Sequence, residues 1–256
     1  MSNPLAEMFH GDQGIRLMTH TVAGYPDMQQ SENMVCDMAR CGVDIVEIQI
    51  PFTDPLADGP VIMEANRDAL RNGTTPADCF SMVHRLKREV DIPLLFMTYT
   101  NIPYRMGMER FFEKSVACGI DGLIIPDLPF DHDDVALHHL SDKFSLPVIW
   151  VISPDMAVSR LKKILSRANG FLYLTLRVGI TGPRKELSIS GLDFIKVVRE
   201  HTDIPLAVGF GISSADHVKQ LKDCADIAVI GSHIITLMAN GGTEKVERFI
   251  EECKRA

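Results

Sequence analysis

Residues 46–60 read VEIQIPFTDPLADGP, an apolar strand pattern that leads directly into a loop punctuated by three prolines. Glu47 lies inside the apolar run, and Asp58 lies near the end of the loop. Removing a carboxylate from water among Val and Ile side chains is costly unless the group is paired or used. Because side chains alternate along a strand, Glu47 and Gln49 share one face. The stretch therefore predicts a strand with a functional inner face, followed by a loop that bends a second carboxylate back towards it.

Short β-branched runs alternate with longer helical patterns along the whole chain. Most of these runs are continuously apolar, as expected of parallel strands that are covered on both faces. Eight strands are predicted, at residues 16–23, 44–50, 92–98, 122–126, 148–152, 171–176, 205–208 and 227–230. Eight strand–helix units in about 250 residues are typical of a (β/α)8 TIM barrel. The strand count disfavours the rival architecture, an open doubly wound sheet.

Six of the eight predicted strands begin with one of two sequence patterns, and the two patterns alternate along the chain. This alternation indicates a repeated pair of strand–helix units. The third, fifth and seventh strands open on a proline, whereas the second, fourth and eighth follow an aspartate in Gly-Val-Asp, Gly-Ile-Asp and Cys-Ala-Asp. Helix starts are also visible: Thr75 is a predicted N-cap followed by proline, residues 213–216 open a second helix, and Gly191 precedes a third at 192–200.

No linker or low-complexity segment divides the 256 residues, so the chain is predicted to be a single barrel domain spanning residues 1–256. Two additions to the basic barrel are expected. A short N-terminal helix is predicted at residues 4–9, and an extra short helix is predicted after the eighth strand, from Ser232 to Met238.

Composition excludes several classes of function. A formal net charge of −8 and a pI near 5.6 argue against a nucleic-acid partner. No apolar run reaches the roughly 18 residues of a membrane span, and the first residues lack the basic and apolar regions of a signal peptide. The six cysteines are scattered without a CxxC pair, as expected of reduced thiols. We therefore expect a cytoplasmic protein that does not contact membranes.

The ends of the predicted strands carry the candidate chemistry, because TIM barrels place their active sites there. Glycine-rich turns follow the sixth, seventh and eighth strands, and Ser232 begins a helix directly after the last one. Exposed backbone N–H groups at such turns and at a helix N-terminus bind anions. Two such turns on adjacent strands favour a phosphate site over simple chain reversal.

Other chemistries have weaker support. No lysine lies within or at the end of a predicted strand, which disfavours a Schiff-base aldolase. The acidic run 131–134 includes His132 and resembles a metal cluster, but an acidic first turn of a helix is the simpler interpretation. No metal site is expected. By contrast, Glu47 and Asp58 occupy different settings, which suits an acid–base pair with separate roles.

At these residues the sequence resembles the tryptophan synthase alpha chain family, from Leu17 to about Met238. The most specific match is Glu47 together with residues 50–60, IPFTDPLADGP. Supporting matches are MTY at 97–99, GLIIPDLP at 122–129, GITG at 179–182, GFGIS at 209–213 and GS at 231–232. The family fold is a (β/α)8 barrel, in agreement with the strand count.

The resemblance implies cleavage of indole-3-glycerol phosphate into indole and glyceraldehyde 3-phosphate, without a metal or cofactor in this chain. It implies that Glu47 protonates the indole at C3 and then removes a glycerol hydroxyl proton, while Asp58 faces the indole N–H. The other implied site residues fall into three groups. Substrate-binding residues would be His20, Tyr99, Tyr173, Thr181 and Phe210; phosphate-binding residues Gly182, Gly211, Gly231 and Ser232; and residues of a closing sixth loop Arg177 and Thr181.

The resemblance also implies a partner, a pyridoxal-phosphate beta chain in an alpha2beta2 heterotetramer that receives the indole. Asp54, Pro55 and residues 101–103 match surfaces that face this partner. Pyridoxal phosphate would belong to the beta chain. Two alternatives remain open: a free-standing lyase, and a weakly catalytic paralogue that acts as an allosteric partner.

The chain departs from the family pattern at several positions. His20 stands where an aromatic residue is usual, Leu176 and Val178 replace small polar residues in the sixth loop, and His233 stands where Ala is common. We expect His20 to loosen the packing of the indole and, when protonated, to favour the charged form of Glu47. Both carboxylates are retained.

Overall fold

Eight parallel strands close into a barrel in chain order, β1 to β8, with β1 paired to both β2 and β8. The computed structural model describes residue 5, residues 8–9, 14–128, 134–176, 189–209 and 211–256. The strands are β1 Arg16–Val22, β2 Ile45–Gln49, β3 Leu94–Met97, β4 Gly122–Ile124, β5 Val148–Ile152, β6 Leu172–Thr175, β7 Leu206–Gly209 and β8 Ile227–Ile230. All eight lie within one or two residues of their predicted bounds, and the predicted TIM barrel is confirmed.

Helices cover the outside of the barrel between successive strands. Within the described residues they are α1 Met28–Arg40, α2 Pro60–Arg71, α3 Pro76–Leu86, α4 Asn101–Met106, α5 Met108–Cys118, α6 Asp134–Phe144, α7 Val158–Leu165, α8 Ile189–Arg199, α9 Ala215–Leu221 and α10 Ser232–Arg255. None of the described helices is both long and apolar enough to cross a membrane.

The local signals for helix starts were mostly right. Thr75 caps α3 in a full capping box with Asp78, and Ser214 caps α9. Two predicted helices are present, but with different bounds. Helix α8 begins at Ile189 and so contains Gly191, because burial of an apolar helix face outweighs the local cost of a glycine. The helix after β8 continues past Met238 to a break at Gly242, where the backbone leaves helical geometry.

The predicted N-terminal helix at 4–9 lies mostly outside the described residues. Leu5 is helical, whereas Met8 and Phe9 form a turn. The Leu5 side chain is fully buried and joins the apolar cluster inside the barrel. A Cβ added to Gly122 at the start of β4 would lie 3.1 Å from Leu5 Cδ1. This residue therefore closes the amino end of the barrel and leaves the carboxyl end for a site.

Alternation along the strands separates two apolar cores. Outward-facing residues such as Val46 and Ile48 of β2 join the large cluster beneath the helices. Inward-facing residues such as Ile45 of β2 and Met97 of β3 form the smaller cluster that fills the barrel. Glu47 and Gln49 share the inward face with Ile45, as the alternation predicted.

The aspartates that precede β2, β4 and β8 have a shared structural role. Each carboxylate accepts the backbone N–H of a neighbouring odd-numbered strand and also meets a basic side chain. The pairs are Asp44 with Leu17 N (2.8 Å) and Lys254, Asp121 with Leu94 N (2.9 Å) and Lys87, and Asp226 with Leu206 N (2.7 Å) and Arg199. The repeated acid therefore ties each even strand to an odd neighbour at the closed end of the barrel.

We expect Asp121→Ala to lower the free energy of unfolding by about 2 kcal/mol, because it leaves the buried N–H of Leu94 without its acceptor. Asp91→Ala removes an exposed carboxylate just before β3 and should change it by less than about 0.5 kcal/mol. Urea unfolding of both variants measures the difference. Equal stabilities would contradict the assigned role of Asp121.

Candidate active site

A cavity of about 380 Å³ opens at the carboxyl ends of the strands. Its polar walls come from the first and second strands, from the loop after β2, and from the turns after β7 and β8. The lining residues used below are His20, Glu47, Asp58, Ser153, Asp155, Arg160, Tyr173, Gly211, Gly231 and Ser232. Apolar walls are supplied by side chains such as Ile62, Met97 and Val151. A half-apolar pocket with a few convergent polar groups suits a small ring-containing ligand.

Glu47 and His20 are direct neighbours across β1 and β2, where their Cα atoms are register partners. Nδ1 of His20 lies 2.9 Å from Oε1 of Glu47, and both side chains are buried. The other carboxylate oxygen, Oε2, has no hydrogen-bond partner among the described residues. One oxygen of Glu47 is thus held by the barrel wall, while the second is buried and makes no hydrogen bond to the described residues.

The negative charges near His20 raise its pKa although the side chain is buried. Burial by itself lowers the pKa of His20, but the hydrogen bond to Glu47 and the negative charges of Glu47 and Asp58 together outweigh burial. The net effect is a raised pKa for His20. The imidazole therefore holds a proton more readily than an ordinary histidine does.

Asp58 reaches the same cavity from the loop after β2 and is itself buried. Its Oδ2 accepts hydrogen bonds from Gln49 Nε2 at 2.7 Å and from the Tyr99 hydroxyl at 2.9 Å. Gln49 lies two residues after Glu47 on the inward face of β2. The two carboxylates therefore stand on one strand face and its returning loop, as the sequence pattern predicted.

The loop that carries Asp58 is fixed at several points. Asn66 of α2 accepts the backbone N–H of Phe52 at 3.0 Å, and the Tyr99 hydroxyl accepts the N–H of Ala57 at 3.0 Å. The rings of Phe52 and Tyr99 stack with centroids 5.4 Å apart. A turn from Asp58 N to Pro55 O closes the bend. These contacts hold the Asp58 carboxylate over the strand ends before any ligand arrives.

Burial raises the pKa of Asp58, although the charge of His20 and the hydrogen bonds from Gln49 and Tyr99 oppose this shift. Glu47 and Asp58 are therefore held by different groups, one by an imidazole and the other by an amide and a phenol. Distinct surroundings are what two carboxylates need in order to take separate roles in one reaction.

Tyr173 projects from β6 into the cavity, and its space is made by Gly209 on β7. A Cβ at residue 209 would lie 2.6 Å from the Tyr173 hydroxyl oxygen, so no larger residue fits without moving the ring. Burial, followed by the charges of Glu47 and Asp58, raises the pKa of Tyr173 well above its ordinary value. A neutral ring thus faces both acids.

Gly211, Gly231 and Ser232 also line the cavity, at the ends of β7 and β8. Gly211 has φ +84°, a left-handed conformation that favours glycine. Ser232 is buried and begins α10, whose first N–H groups have no intrahelical acceptors. This part of the cavity wall therefore offers backbone N–H groups and a helix N-terminus to an anion.

Four residues implied by the resemblance, Arg177, Thr181, Gly182 and Phe210, lie outside the described residues. The same is true of residues 131–133 of the acidic run. Among the residues that the structure describes, no cluster of three or more His, Cys, Asp or Glu side chains is arranged to hold a metal ion.

Tyr99 differs from its expected place. It stands behind Asp58, is 1% exposed, donates a hydrogen bond to that acid, and is absent from the residues that line the cavity. Sequence reasoning missed Ser153, Asp155 and Arg160, which line the cavity after β5. The polar Ser-Pro-Asp run directly after an apolar strand was the available signal.

Two departures from the family pattern do not face the cavity. Leu176 is buried in the outer core beneath the helices. His233 packs edge-to-face on Phe249, with ring centroids 4.6 Å apart, and burial followed by the charge of His217 lowers its pKa. His20, by contrast, forms part of the cavity wall beside Glu47.

Comparison with known proteins agrees with this geometry. The sequence model of the family described as tryptophan synthase alpha chain matches residues 9–256. The tryptophan synthase alpha chain of Syntrophotalea carbinolica is 41% identical over 240 residues, covering 94% of each chain. A structure of Mycobacterium tuberculosis tryptophan synthase is 28% identical, with a TM-score of 0.89, and the match covers 98% of this chain and 96% of that one.

A further structure, of the tryptophan synthase complex from Pyrococcus furiosus, has a TM-score of 0.86 at 29% identity, covering 94% of this chain and 98% of that one. The family match spans nearly the whole sequence, and the relatives share both length and barrel. This chain belongs to the tryptophan synthase alpha chain family, a family of lyases that cleave indole-3-glycerol phosphate.

Proposed function

We propose that this chain, as one barrel domain, cleaves indole-3-glycerol phosphate to indole and glyceraldehyde 3-phosphate, with Glu47 and Asp58 as its catalytic acids. The observation that carries the proposal is the position of both carboxylates in the wall of a cavity that the glycine turns after β7 and β8 also line. The substrate has matching ends, a flat apolar ring with one N–H and a phosphate. The ring would lie between the two acids, and the phosphate would lie at the glycine turns.

Glu47 performs two proton transfers in this scheme. The carboxyl proton goes to C3 of the indole, which makes the ring an electron-deficient leaving group. The resulting carboxylate then takes the proton of the hydroxyl on the carbon being cleaved. The C–C bond breaks as the aldehyde forms, and its electron pair returns to the indole ring, so the protons balance and Glu47 is regenerated. General acid–base catalysis of this kind contributes about 10²- to 10⁴-fold.

Asp58 stabilises the positive charge that develops on the indole nitrogen after C3 is protonated. Its carboxylate accepts two hydrogen bonds, from Gln49 and Tyr99, which hold it in place for the ring N–H. A fixed negative group placed where positive charge develops lowers the barrier without reorganisation. Tyr99 therefore serves as a positioning residue for Asp58.

The remaining contacts hold the substrate. Tyr173 would pack beside the indole ring, and the N–H groups at Gly211, Gly231 and Ser232, together with Gly182, would bind the phosphate. His20 and Phe210 would complete the ring pocket. Closure of the sixth loop, with Arg177 and Thr181, would exclude water and complete the acid pair around the bound substrate.

A beta chain is the proposed partner, in an alpha2beta2 assembly, and pyridoxal phosphate would belong to that chain. Support comes from apolar side chains exposed beside the cavity loops: Leu56 is 83% exposed and Tyr104 is 76% exposed. A partner that covers these side chains would remove their apolar surface from water. Asp54 and Pro55 lie in the same loop as Leu56.

The free thiols of the six cysteines support a cytoplasmic setting.

The purified chain should release indole when it is incubated with indole-3-glycerol phosphate, and a beta chain should increase the rate. Indole and glyceraldehyde 3-phosphate are both followed, so that the two products can be matched. Full activity without a beta chain would favour the free-standing lyase. No cleavage in either condition would contradict the proposed reaction and leave the paralogue that only binds its partner.

A further inference from the structure

We propose that His20 is a positioning residue that holds Glu47 for proton transfer and shares its proton. The inference rests on the proposed role of Glu47, and it concerns a position where the sequence departs from the family pattern. It identifies a working partner for the acid on the neighbouring strand, where the resemblance implied only a wall of the indole pocket.

The geometry fixes which oxygen of Glu47 can react. His20 Nδ1 lies 2.9 Å from Oε1, and strand register makes the two residues neighbours, so the contact is built into the barrel wall. Oε2 has no partner within the described part of the chain, and Glu47 lines the cavity. The His20 bond therefore occupies Oε1 and leaves Oε2 as the oxygen that can give or take a proton. A buried carboxylate with one free oxygen is otherwise costly, which is consistent with a functional site.

The hydrogen bond from His20 also stabilises the negative charge that appears on Glu47 during the reaction. When Oε2 gives its proton to the indole, negative charge appears on Glu47 beside the Nδ1–H group of His20. A hydrogen bond to a charged acceptor is about twice as strong as a neutral one, so the bond strengthens as the proton leaves. When Glu47 takes the hydroxyl proton back, the original arrangement returns. His20 remains bound to the acid throughout.

The groups around His20 favour retention of a proton. Glu47 and Gln49 face it from β2, Asp58 faces it from the following loop, and Tyr173 lies across the cavity on β6. Directly after β8, the uncharged Gly231 is close to His20, because a Cβ added to it would lie 3.7 Å from His20 Cβ. Ile62 of α2, which lines the same cavity, is also uncharged. Gln49 lies beside His20 and donates a hydrogen bond to Asp58. Both carboxylates therefore raise the pKa of His20.

Histidine NMR tests the pair without any activity measurement. The titration of His20, assigned by its loss in His20→Gln, is followed in the native chain and in Glu47→Gln. Glu47→Gln removes the main influences that raise the pKa of His20 and leaves burial, which lowers it. We expect the pKa to fall by at least about one unit, and to fall less in Asp58→Asn. An unchanged titration in Glu47→Gln would overturn the proposal.

The pH dependence of kcat gives the second test. In the native enzyme, kcat should fall at high pH as the proton shared by His20 and Glu47 is lost. This fall is the basic limb of the pH profile. His20→Gln keeps an N–H donor near Oε1 but removes the titrating nitrogen, so kcat should stay within about tenfold while the limb moves to lower pH by at least about one unit. His20→Phe also removes the donor, and kcat should fall about 10- to 100-fold.

A simple packing role for His20 would leave the position of the basic limb unchanged in both variants, and that result would overturn the proposal. Glu47→Gln distinguishes this failure from failure of the proposed function. Loss of activity in Glu47→Gln with unchanged profiles in the His20 variants rejects only the role of His20. Retained activity in Glu47→Gln rejects the role of Glu47 itself.

Discussion

Glu47→Gln should reduce kcat for cleavage of indole-3-glycerol phosphate by about 10³- to 10⁴-fold while KM changes little. Glutamine has the same shape and can accept a hydrogen bond from His20 through its amide oxygen, so the cavity keeps its form. It cannot give a proton to C3 of the indole or take one from the glycerol hydroxyl. Because both transfers depend on one carboxyl group, no other residue in the described cavity wall replaces it at the same position.

Steady-state kinetics of the purified variant, with indole detected directly, measures the effect. Ile48→Val is the matched control, because Ile48 is the next residue of β2 and faces the outer core instead of the cavity. We expect the control to keep kcat within about twofold and to lose about 1 kcal/mol of stability. A Glu47→Gln enzyme with more than about a tenth of native activity would contradict a catalytic role.

Much of the fold was predictable because the signals in the sequence are repeated. Eight apolar runs, six of which follow a proline or an aspartate, leave few alternatives to a closed parallel barrel. The structural role of Asp121 could not be read in the same way, because its contact with Leu94 N depends on the register of two neighbouring strands. Helix bounds near Gly191 were misjudged, because tertiary burial outweighs local propensity.

The site was predictable where residues are close along the chain and less so where they meet only in space. Strand alternation placed Glu47 inward, and the proline-shaped loop indicated that Asp58 returns to it. The bond between His20 and Glu47 joins residues that are 27 positions apart, and no local pattern reveals it. The support that Tyr99 gives to Asp58 likewise depends on how β3 lies beside the loop.

Asp58→Asn should reduce kcat by about 10²- to 10³-fold, because asparagine carries no charge to balance the positive indole nitrogen. The amide oxygen can still accept one hydrogen bond from Gln49 or Tyr99, so the loop should keep its position. KM should rise only slightly, since the ring walls and the glycine turns are untouched. The loss therefore falls on the chemical step.

The same substitution should leave the melting temperature unchanged or raise it. Burial raises the folded-state pKa of Asp58 above its reference value of 3.8, so the folded protein binds this proton more tightly than the unfolded chain does. The stability contributed by neutral Asp58 is fully present below that reference value and is lost as pH rises through the raised folded pKa. Asparagine is neutral at every pH, so the variant lacks this loss.

Thermal unfolding at several pH values, beside kinetics, measures both effects. Asp68→Asn is the matched control, because it removes an equal charge from the surface of α2, where Asp68 faces Arg67 and Arg71. The control should keep its activity. A lower melting temperature in Asp58→Asn at neutral pH would show that the carboxylate stabilises the loop. The expected opposite result would mean that the chain retains a buried acid at some cost in stability because the reaction needs its charge.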